Sequence, residues 1–225
     1  MAVMSYPEYT QAQGLFFLAG LCILTMMEKQ VLVIATRNRK KVEEIRRILE
    51  GVGVELLSLD DFPGCPEVAE DADTFEGNAV KKAREVAHFT GKPSVADDSG
   101  LEVYALGGAP GVISARYAGT GADDKKNLEK LLDELENIEQ DRRGAQFVCV
   151  IALAFPDGRV EAFHGVAEGR IGTEPRGSNG FGYDPVFYPR DHHVTFAEMS
   201  ADEKDALSHR GIALRKLRAY LSSEM

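Results

Sequence analysis

The segment from residue 31 to residue 51 constrains the fold of this chain most, because an apolar run of strand length leads directly into a helical pattern. Val31 to Ala35 are five consecutive apolar residues, and the polar residues Thr36 to Asn38 interrupt them. Apolar residues then recur at helical spacing, at Val42, Ile45, Ile48 and Leu49. Strand and helix periodicities also alternate further along the chain, which predicts an α/β fold.

Further elements are predicted from the same periodicities and from turn residues. One helix is predicted with Thr74 as its cap and Gly91 as its stop. The clearest amphipathic helix is predicted over residues 123 to 139. A hairpin is predicted from residue 145 to residue 165, because an apolar run and an alternating run flank a Pro-Asp-Gly turn.

The N-terminal residues 1 to 27 are predicted to lie outside the folded domain, which then comprises residues 28 to 225. Residues 14 to 27 resemble the apolar region of a signal peptide, but no Lys or Arg precedes them. They are also shorter than the about 20 residues that a membrane-spanning helix needs, so no membrane is expected as a partner. We hypothesise that the native protein starts at Met27.

The net charge of −10 argues against a nucleic-acid-binding protein, because duplex binding depends on Lys and Arg side chains that neutralise phosphates. A small anion could still bind in a local basic pocket. The three cysteines form an odd set without C-x-x-C spacing, so neither a disulfide framework nor a zinc site is predicted. A reducing compartment, the cytoplasm, is therefore expected.

Two adjacent carboxylates, Asp97 and Asp98, follow an apolar run and precede Ser99 and Gly100. The pattern predicts a strand end at which a glycine turn presents hard oxygen ligands. Carboxylates suit Mg²⁺, which commonly binds one or two of them and leaves its other positions to water and substrate phosphates. The alternative is an ordinary turn in which either carboxylate bonds nearby backbone amides. Glu70, in an acidic loop, is either a solvated charge or a second metal ligand.

Two helix starts carry basic residues where acidic residues are usual. Lys40 and Lys41 lie in the first turn of the first predicted helix, and His209 and Arg210 follow Ser208 at the start of the C-terminal helix. Cations are unfavourable at the positive end of a helix unless an anion binds there. Both starts therefore indicate an anion site, and for the first of them the alternative is a solvated basic helix face.

A loop with three glycines, residues 176 to 185, allows a ligand to approach the backbone closely. Phe181 and Tyr183 add flat apolar faces to this loop, and Asp184 adds a carboxylate acceptor. This combination suits a nucleobase. The alternative is a turn that the aromatic side chains stabilise.

Four segments occur together and in this order: Ala35-Thr36-Arg37-Asn38-Arg39-Lys40-Lys41, Ala96-Asp97-Asp98-Ser99-Gly100-Leu101, Gly180-Phe181-Gly182-Tyr183-Asp184-Pro185 and Ser208-His209-Arg210. Each motif is weak alone, but the combination closely resembles the noncanonical purine nucleoside triphosphate pyrophosphatase family over about residues 29 to 221. Members of that family act on inosine and xanthosine triphosphates and their deoxy forms. The resemblance implies an elongated mixed β-sheet flanked by helices, an active-site cleft between two lobes, and a homodimer.

The resemblance also implies roles for individual residues. Asp98 matches the catalytic carboxylate of the family and, with Glu70, its Mg²⁺ site. The phosphate-binding signature, with Arg37 in place of a commoner glycine, covers Thr36, Arg37, Asn38, Arg39, Lys40 and Lys41. The base-recognition loop and the other substrate contacts correspond to Ser99, Phe181, Gly182, Tyr183, Asp184, Lys204, His209 and Arg210. The role of Asp97 stays open, and only Asp98 is expected to be indispensable for the chemistry.

The expected reaction is Mg²⁺-dependent hydrolysis of ITP, dITP and XTP between the α and β phosphates, which removes deaminated purines from the nucleotide pool. His209 or Arg210 and backbone N–H groups of the glycine-rich loop are expected to donate to the 6-oxo group of the base, where adenine has an amino group. One alternative is a related Maf-type pyrophosphatase, which acts on pyrimidine or modified nucleotides and lacks the Ser-His-Arg ending. A non-catalytic nucleotide sensor is another, but it would not need both Asp98 and Glu70.

Overall fold

A computed structural model of the chain describes residues 30–121 and 123–224. Within these ranges six strands form one sheet: β1 (Val31–Ile34), β2 (Glu55–Ser58), β3 (Ser94–Val103), β4 (Gly144–Ala154), β5 (Val160–Ile171) and β6 (Phe187–Pro189). The helices are α1 (Arg39–Ile48), α2 (Phe75–Thr90), α3 (Asp124–Glu134), α4 (Ala201–Leu207) and α5 (His209–Glu224). The predicted extension of residues 1 to 27, with its start at Met27, lies outside the described residues.

The sheet is mixed. β1 lies between β2 and β3 and runs parallel to both, whereas β3, β4, β5 and β6 pair antiparallel in sequence order. β4 and β5 are 11 and 12 residues long, so the sheet is elongated in their direction. This sheet, with helices packed against it, confirms the predicted α/β fold.

Alternation along the strands divides the core between two faces of the sheet. Leu32 and Ile34 of β1 pack with α1 and α5, whereas Val33 and Ala35 pack with α2. The reason is that successive side chains of a strand point in opposite directions. We call these the α5 face and the α2 face. A third cluster, around Leu131 of α3, covers the C-terminal ends of β3 and β5 and the N-terminal end of β4. These parts of the chain form a second lobe.

β3 is one uninterrupted strand, so the predicted strand end and glycine turn at Asp97 to Gly100 are wrong. Every residue of β3 is paired with a residue of β4. Gly100 serves a close approach of the backbone rather than a turn. A Cβ atom at this position would lie 2.5 Å from the carbonyl oxygen of Gly111 and 2.5 Å from the hydroxyl oxygen of Ser114.

The predicted bounds of α2 are confirmed. The side chain of Thr74 accepts a hydrogen bond from the backbone N–H of Gly77 at 3.0 Å and caps the first turn. Gly91 ends the helix in the left-handed conformation, with φ at 66°, which a residue without a Cβ adopts at little cost.

Two predicted bounds are wrong. α3 ends at Glu134 rather than at residue 139, and β5 extends to Ile171 rather than to residue 165. The guanidinium of Arg143 donates to the carbonyl oxygen of Leu135 at 2.7 Å and to that of Ile138 at 2.9 Å, so it satisfies backbone groups that a longer helix would use. β5 is longer because it pairs with β4 along the whole length of that strand.

We expect Gly100→Ala to lower the free energy of unfolding by about 1 to 3 kcal/mol, because the added methyl group overpacks the contact with Gly111 and Ser114. The measurement is the urea midpoint of the purified variant. Gly64→Ala is the matched control, because its added Cβ would meet Phe89 at an ordinary 3.6 Å. Equal midpoints for the Gly100 variant and the native protein would contradict the close-approach explanation.

Candidate active site

The geometry of β3 separates the two adjacent aspartates. Asp97 points to the α5 face, where it forms ion pairs with Lys41 of α1 and Arg210 of α5. Asp98 points to the α2 face, where its Oδ1 lies 3.4 Å from the Nζ of Lys82 of α2. The doublet therefore supplies one carboxylate to each side of the sheet.

Asp97 is fully buried and is surrounded by hydrogen-bond donors. Its carboxylate accepts from Nε of Arg210 at 2.8 Å, from Oγ of Ser99 at 3.0 Å and from Sγ of Cys149 at 3.1 Å, and it pairs with the ammonium of Lys41. Burial by itself would raise the pKa of Asp97, but Arg210 and Lys41 hold this pKa well below its ordinary value. Asp97 is therefore ionised at neutral pH.

The ion pair of Asp97 and Arg210 continues into a longer chain of charges. Nη1 of Arg210 donates to Oε2 of Glu44 at 2.6 Å, and Nζ of Lys204 lies 2.9 Å from Oε1 of Glu44. The same ammonium donates to Oδ2 of Asp184 at 2.6 Å. Three cations and three anions thus alternate in the order Lys41, Asp97, Arg210, Glu44, Lys204 and Asp184. We call these six residues the ion chain.

Asp98 has a different environment on the α2 face. Lys82 donates to Oε1 of Glu70 at 2.7 Å and to the backbone carbonyl of Asp97 at 2.6 Å, and its contact with Asp98 is the longest of the three. Oδ2 of Asp98 is buried, and no described residue donates to it. Burial raises the pKa of Asp98, although Lys82 and Lys41 oppose the shift.

One end of a cleft lies at the junction of β1 and α1, and we call it the β1–α1 end. The side chain of Asn38 caps α1, because it accepts from the backbone N–H of Lys40 at 3.0 Å and from that of Lys41 at 3.3 Å. The hydroxyl of Thr36 accepts from the N–H of Asn38 at 3.2 Å. Other residues that line this end are Arg37, Glu70, Lys82, Asp98 and Ser99.

The other end of the cleft is aromatic, and we call it the Phe181 end. The imidazole of His209 stacks on Phe147 with ring centroids 4.6 Å apart, and Nδ1 of His209 is buried without a partner among the described residues. Burial, with Arg210 and Lys204 nearby, holds the pKa of His209 well below its ordinary value, so the ring is neutral. Asn38, Lys41, Ser99 and Ala115 line both ends, which makes the cleft continuous.

The loop that carries Phe181 is held by its own polar groups. Oδ2 of Asp184 accepts from the backbone N–H of Phe181 at 2.8 Å, and the hydroxyl of Tyr183 donates to the carbonyl oxygen of Ser114 at 2.9 Å. The Phe181 ring centroid lies 4.8 Å from the Nζ of Lys204 and 5.5 Å from the guanidinium of Arg210. Asp184 and Tyr183 thus position the loop, and they line the cavity together with Phe181 and Gly182.

Most residues singled out from the sequence meet in this cleft. Arg39 lies outside it, in a groove beside β2. Lys40 lines a neighbouring groove, with its Nζ 5.7 Å from the centroid of the Phe181 ring and 3.0 Å from the carbonyl oxygen of Gly180. Arg37 lines the cleft, but its guanidinium also donates to the carbonyl oxygen of Cys65 at 2.7 Å. The cleft brings together Thr36, Asn38, Lys41, Glu70, Asp98, Ser99, Phe181, Gly182, Tyr183, Asp184, Lys204, His209 and Arg210.

Sequence reasoning missed Glu44 and Lys82, which are both buried and both pair with predicted site residues. A signal was present for Lys82, because it stands three residues after Ala79 and four before Val86, on the apolar stripe of α2. Glu44 stands four residues before Ile48, which packs against the core on the α5 face. A charged residue on a buried stripe needs a partner and is therefore a candidate for a site.

The fold and the cleft define an α/β protein with a continuous charged and aromatic cleft across a mixed sheet. The chain belongs to the Ham1 family, whose family model matches residues 32–220. This membership confirms the resemblance seen in the sequence motifs and favours it over the Maf-type alternative.

Individual relatives agree with the family match. A protein from Desulforamulus reducens named dITP/XTP pyrophosphatase is 51% identical over 191 residues, which cover 85% of this chain and 95% of that protein. A protein of the same name from Syntrophobacter fumaroxidans is 55% identical over 191 residues, covering 85% and 82%. The structure of a HAM1 protein from Coxiella burnetii matches with a TM-score of 0.80 and 43% identity, covering 86% of this chain and 99% of that one.

We expect replacement of the two aspartates by asparagine to have different effects on the free energy of unfolding at pH 7. The lowered pKa of Asp97 means that its stabilisation is present at pH 7 and is lost only as the pH falls below the ordinary value of 3.8. Asp97→Asn should lower the free energy of unfolding by about 3 to 5 kcal/mol, because it removes the buried carboxylate that Lys41 and Arg210 share. The raised pKa of Asp98 means that its ionised form costs stability at pH 7, so Asp98→Asn should be neutral or stabilising.

Denaturant unfolding at pH 7 in the presence of EDTA measures both effects without a bound divalent cation. Asp71→Asn is a control, because Asp71 is an exposed residue that pairs with the side chain of Lys81 outside the cleft. Equal destabilisation by the Asp97 and Asp98 substitutions would show that the two carboxylates do not occupy the different environments described above.

Proposed function

We propose that the protein hydrolyses noncanonical purine nucleoside triphosphates, such as ITP, dITP and XTP, to the nucleoside monophosphate and pyrophosphate. The observation that carries this proposal is the cleft, which joins an aromatic end at Phe181 and His209 to a charged end at Lys41, Lys82 and Asp98. Two relatives named dITP/XTP pyrophosphatase, 51% and 55% identical to the chain, support the choice of substrate.

The two ends of the cleft suit the two parts of such a substrate. The Phe181 ring offers a flat apolar face on which a purine can stack. Lys41 lines both ends, so its ammonium lies where a triphosphate that extends from the base would pass. The backbone N–H groups at the start of α1 and the positive end of the helix favour phosphate oxygens at the β1–α1 end.

Selection of a 6-oxo purine follows from the donors at the Phe181 end. Lys204 and Arg210 carry charged donors beside the Phe181 ring, and His209 carries one N–H in its neutral form. A 6-oxo group accepts from such donors, whereas the 6-amino group of adenine is itself a donor. Each buried donor left without an acceptor costs about 1 to 3 kcal/mol, so two of them would produce strong selectivity.

The hydrolytic step needs a proton acceptor and positive charge. We assign the acceptor to Asp98, because its buried Oδ2 is unpaired among the described residues and burial raises its pKa above the ordinary value. Water would form a bond to phosphorus and pass a proton to this carboxylate, while the P–O bond between the α and β phosphates breaks. Lys41 and Lys82 offset the negative charge of the departing pyrophosphate.

Two carboxylates at the β1–α1 end are suited to binding a magnesium ion. Asp98 and Glu70 supply hard oxygen ligands, and both lie next to the ammonium of Lys82, which brings the two carboxylates together. We propose that Asp98 and Glu70 bind Mg²⁺. A bound Mg²⁺ would neutralise charge on the phosphate oxygens.

Family resemblance and composition support three further proposals. We propose a homodimer, as the resemblance implies, and a cytoplasmic location, because the cysteines follow no disulfide pattern. No described helix has the length and apolarity needed to cross a bilayer. The net charge of −10 supports a small-molecule substrate rather than a nucleic acid.

The substrate proposal is tested by pyrophosphate release from ITP, dITP, XTP, GTP and ATP, each with Mg²⁺ and with EDTA. We expect kcat/KM for ITP to exceed that for ATP by at least about 100-fold, which corresponds to two unpaired donors. EDTA should remove the activity. Equal rates on ATP and ITP would contradict the selectivity argument, and full activity in EDTA would contradict the Mg²⁺ site.

We expect Asp98→Asn to lower kcat by at least about 100-fold, because the amide cannot accept the proton of the attacking water. Single-turnover rates with ITP are the measurement. The control is Asp71→Asn, since Asp71 is exposed and contacts Lys81 rather than the cleft. Activity near that of the native protein in the Asp98 variant would refute the assigned role.

A further inference from the structure

We propose that Asp97 is a positioning residue that holds Lys41 and Arg210 from beneath the cleft and thereby links its two ends. The inference deepens the proposed function and rests on it, because it takes the Phe181 end as the base site and the β1–α1 end as the phosphate site. Asp97 itself lines neither end. It acts through the two cations, both of which line the cleft.

The contacts of Asp97 exceed what one ion pair requires. Both carboxylate oxygens accept hydrogen bonds, Oδ1 from Ser99 and Oδ2 from Cys149, while Arg210 contacts both. The donors come from α1, α5, β4 and β3 itself. Because the carboxylate is fully buried and contacted from several directions, its position is determined, and so are the positions of the ammonium and guanidinium that it binds.

The ion chain extends this control to the Phe181 end. Arg210 is bound by Asp97 on one side and by Glu44 on the other, and Glu44 in turn binds Lys204. Lys204 binds Asp184, whose carboxylate accepts from the N–H of Phe181. Asp97 therefore helps to hold the guanidinium of Arg210, a donor at the Phe181 end, and also the ammonium of Lys41, which lines both ends.

Lys41 stands between two competing anions. Its ammonium pairs with Asp97 and also lines the cleft where the phosphates would lie. In Asp97→Asn, Lys41 loses this competing carboxylate and is free to bind a phosphate chain whatever the base. Arg210 keeps only Glu44 as an anionic partner, so a donor at the Phe181 end is held less firmly. Asp97 thus limits base-independent phosphate binding through Lys41 and supports base selection through Arg210.

The first test measures phosphate binding alone, with inorganic tripolyphosphate in EDTA and isothermal titration calorimetry. We expect Asp97→Asn to tighten Kd by at least about threefold, because it removes the anion that competes for Lys41. A residue that only supports the fold would lower the fraction of binding-competent protein and leave Kd unchanged. An unchanged Kd would overturn the proposal.

The second test measures selectivity, as the ratio of kcat/KM for ITP to that for ATP. This ratio does not depend on the fraction of folded enzyme. We expect it to fall at least about tenfold in Asp97→Asn and to recover in part in Asp97→Glu, which restores the charge. If the native protein discriminates between ITP and ATP and the variant retains the same ratio, the link between the two ends is refuted.

A pair of substitutions at Cys149 keeps the proposal testable if Asp97→Asn does not fold. Cys149→Ala removes a donor to Oδ2 of Asp97, whereas Cys149→Ser keeps a donor of similar size. We expect the alanine variant to reduce the ITP to ATP ratio about two- to fourfold and the serine variant to retain it. Equal ratios in the two variants would overturn the proposal.

Asp205→Asn is the matched control for Asp97→Asn, because it also removes an aspartate from an ion pair, here the pair with Arg47 outside the cleft. Asp205 pairs with Arg47 and lines neither end of the cleft, so its loss should lower stability without altering the ratio or Kd. A similar change in Kd in this control would also overturn the assignment to Asp97. If the native protein does not discriminate between ITP and ATP, the proposed function fails, and the tripolyphosphate Kd alone decides whether Asp97 holds Lys41.

Discussion

The structure depends on a carboxylate that is buried in the middle of a strand. An ionised Asp97 at that depth is tolerated only if cations reach it, and Lys41 and Arg210 do so from α1 and α5. These two helices are far apart in sequence, so the burial of one side chain requires them to meet on the same face of the sheet. The β1–α1 junction and the start of α5 thereby become parts of one cleft.

Strand alternation then divides the chemistry of two neighbouring residues. On the α5 face Asp97 is saturated with donors, which suits a group that holds other groups in place. On the α2 face Asp98 has a buried oxygen to which no described residue donates, which suits a group that receives a proton or a metal ion. Identical residue types one position apart thus differ in pKa direction, in partners and in proposed role.

Local sequence patterns predict correctly those helix bounds that a few adjacent residues determine. Thr74 and Gly91 bound α2 because capping and left-handed conformations depend on a few adjacent residues. The predicted glycine turn at Gly100 is wrong because this glycine accommodates the backbone of Gly111, at the start of a short 3-10 helix that packs against β3. The predicted ends of α3 and β5 are wrong because other parts of the chain determine them. Arg143 binds the carbonyl oxygen of Leu135 after α3, and pairing along the whole of β4 lengthens β5.

The sequence by itself determined the α/β class, the family and the set of residue types at the cleft, because ordered motifs and periodicity are properties of the chain. Only the tertiary structure decided that Asp97 and Asp98 have separate environments. It places Lys82 beside Asp98 and Glu70, and it links Glu44 to Asp97 through Arg210. It also placed Arg39 and Lys40 outside the cleft. The physical reason is that the partner of a buried charge is set by packing between distant segments, which no local pattern specifies.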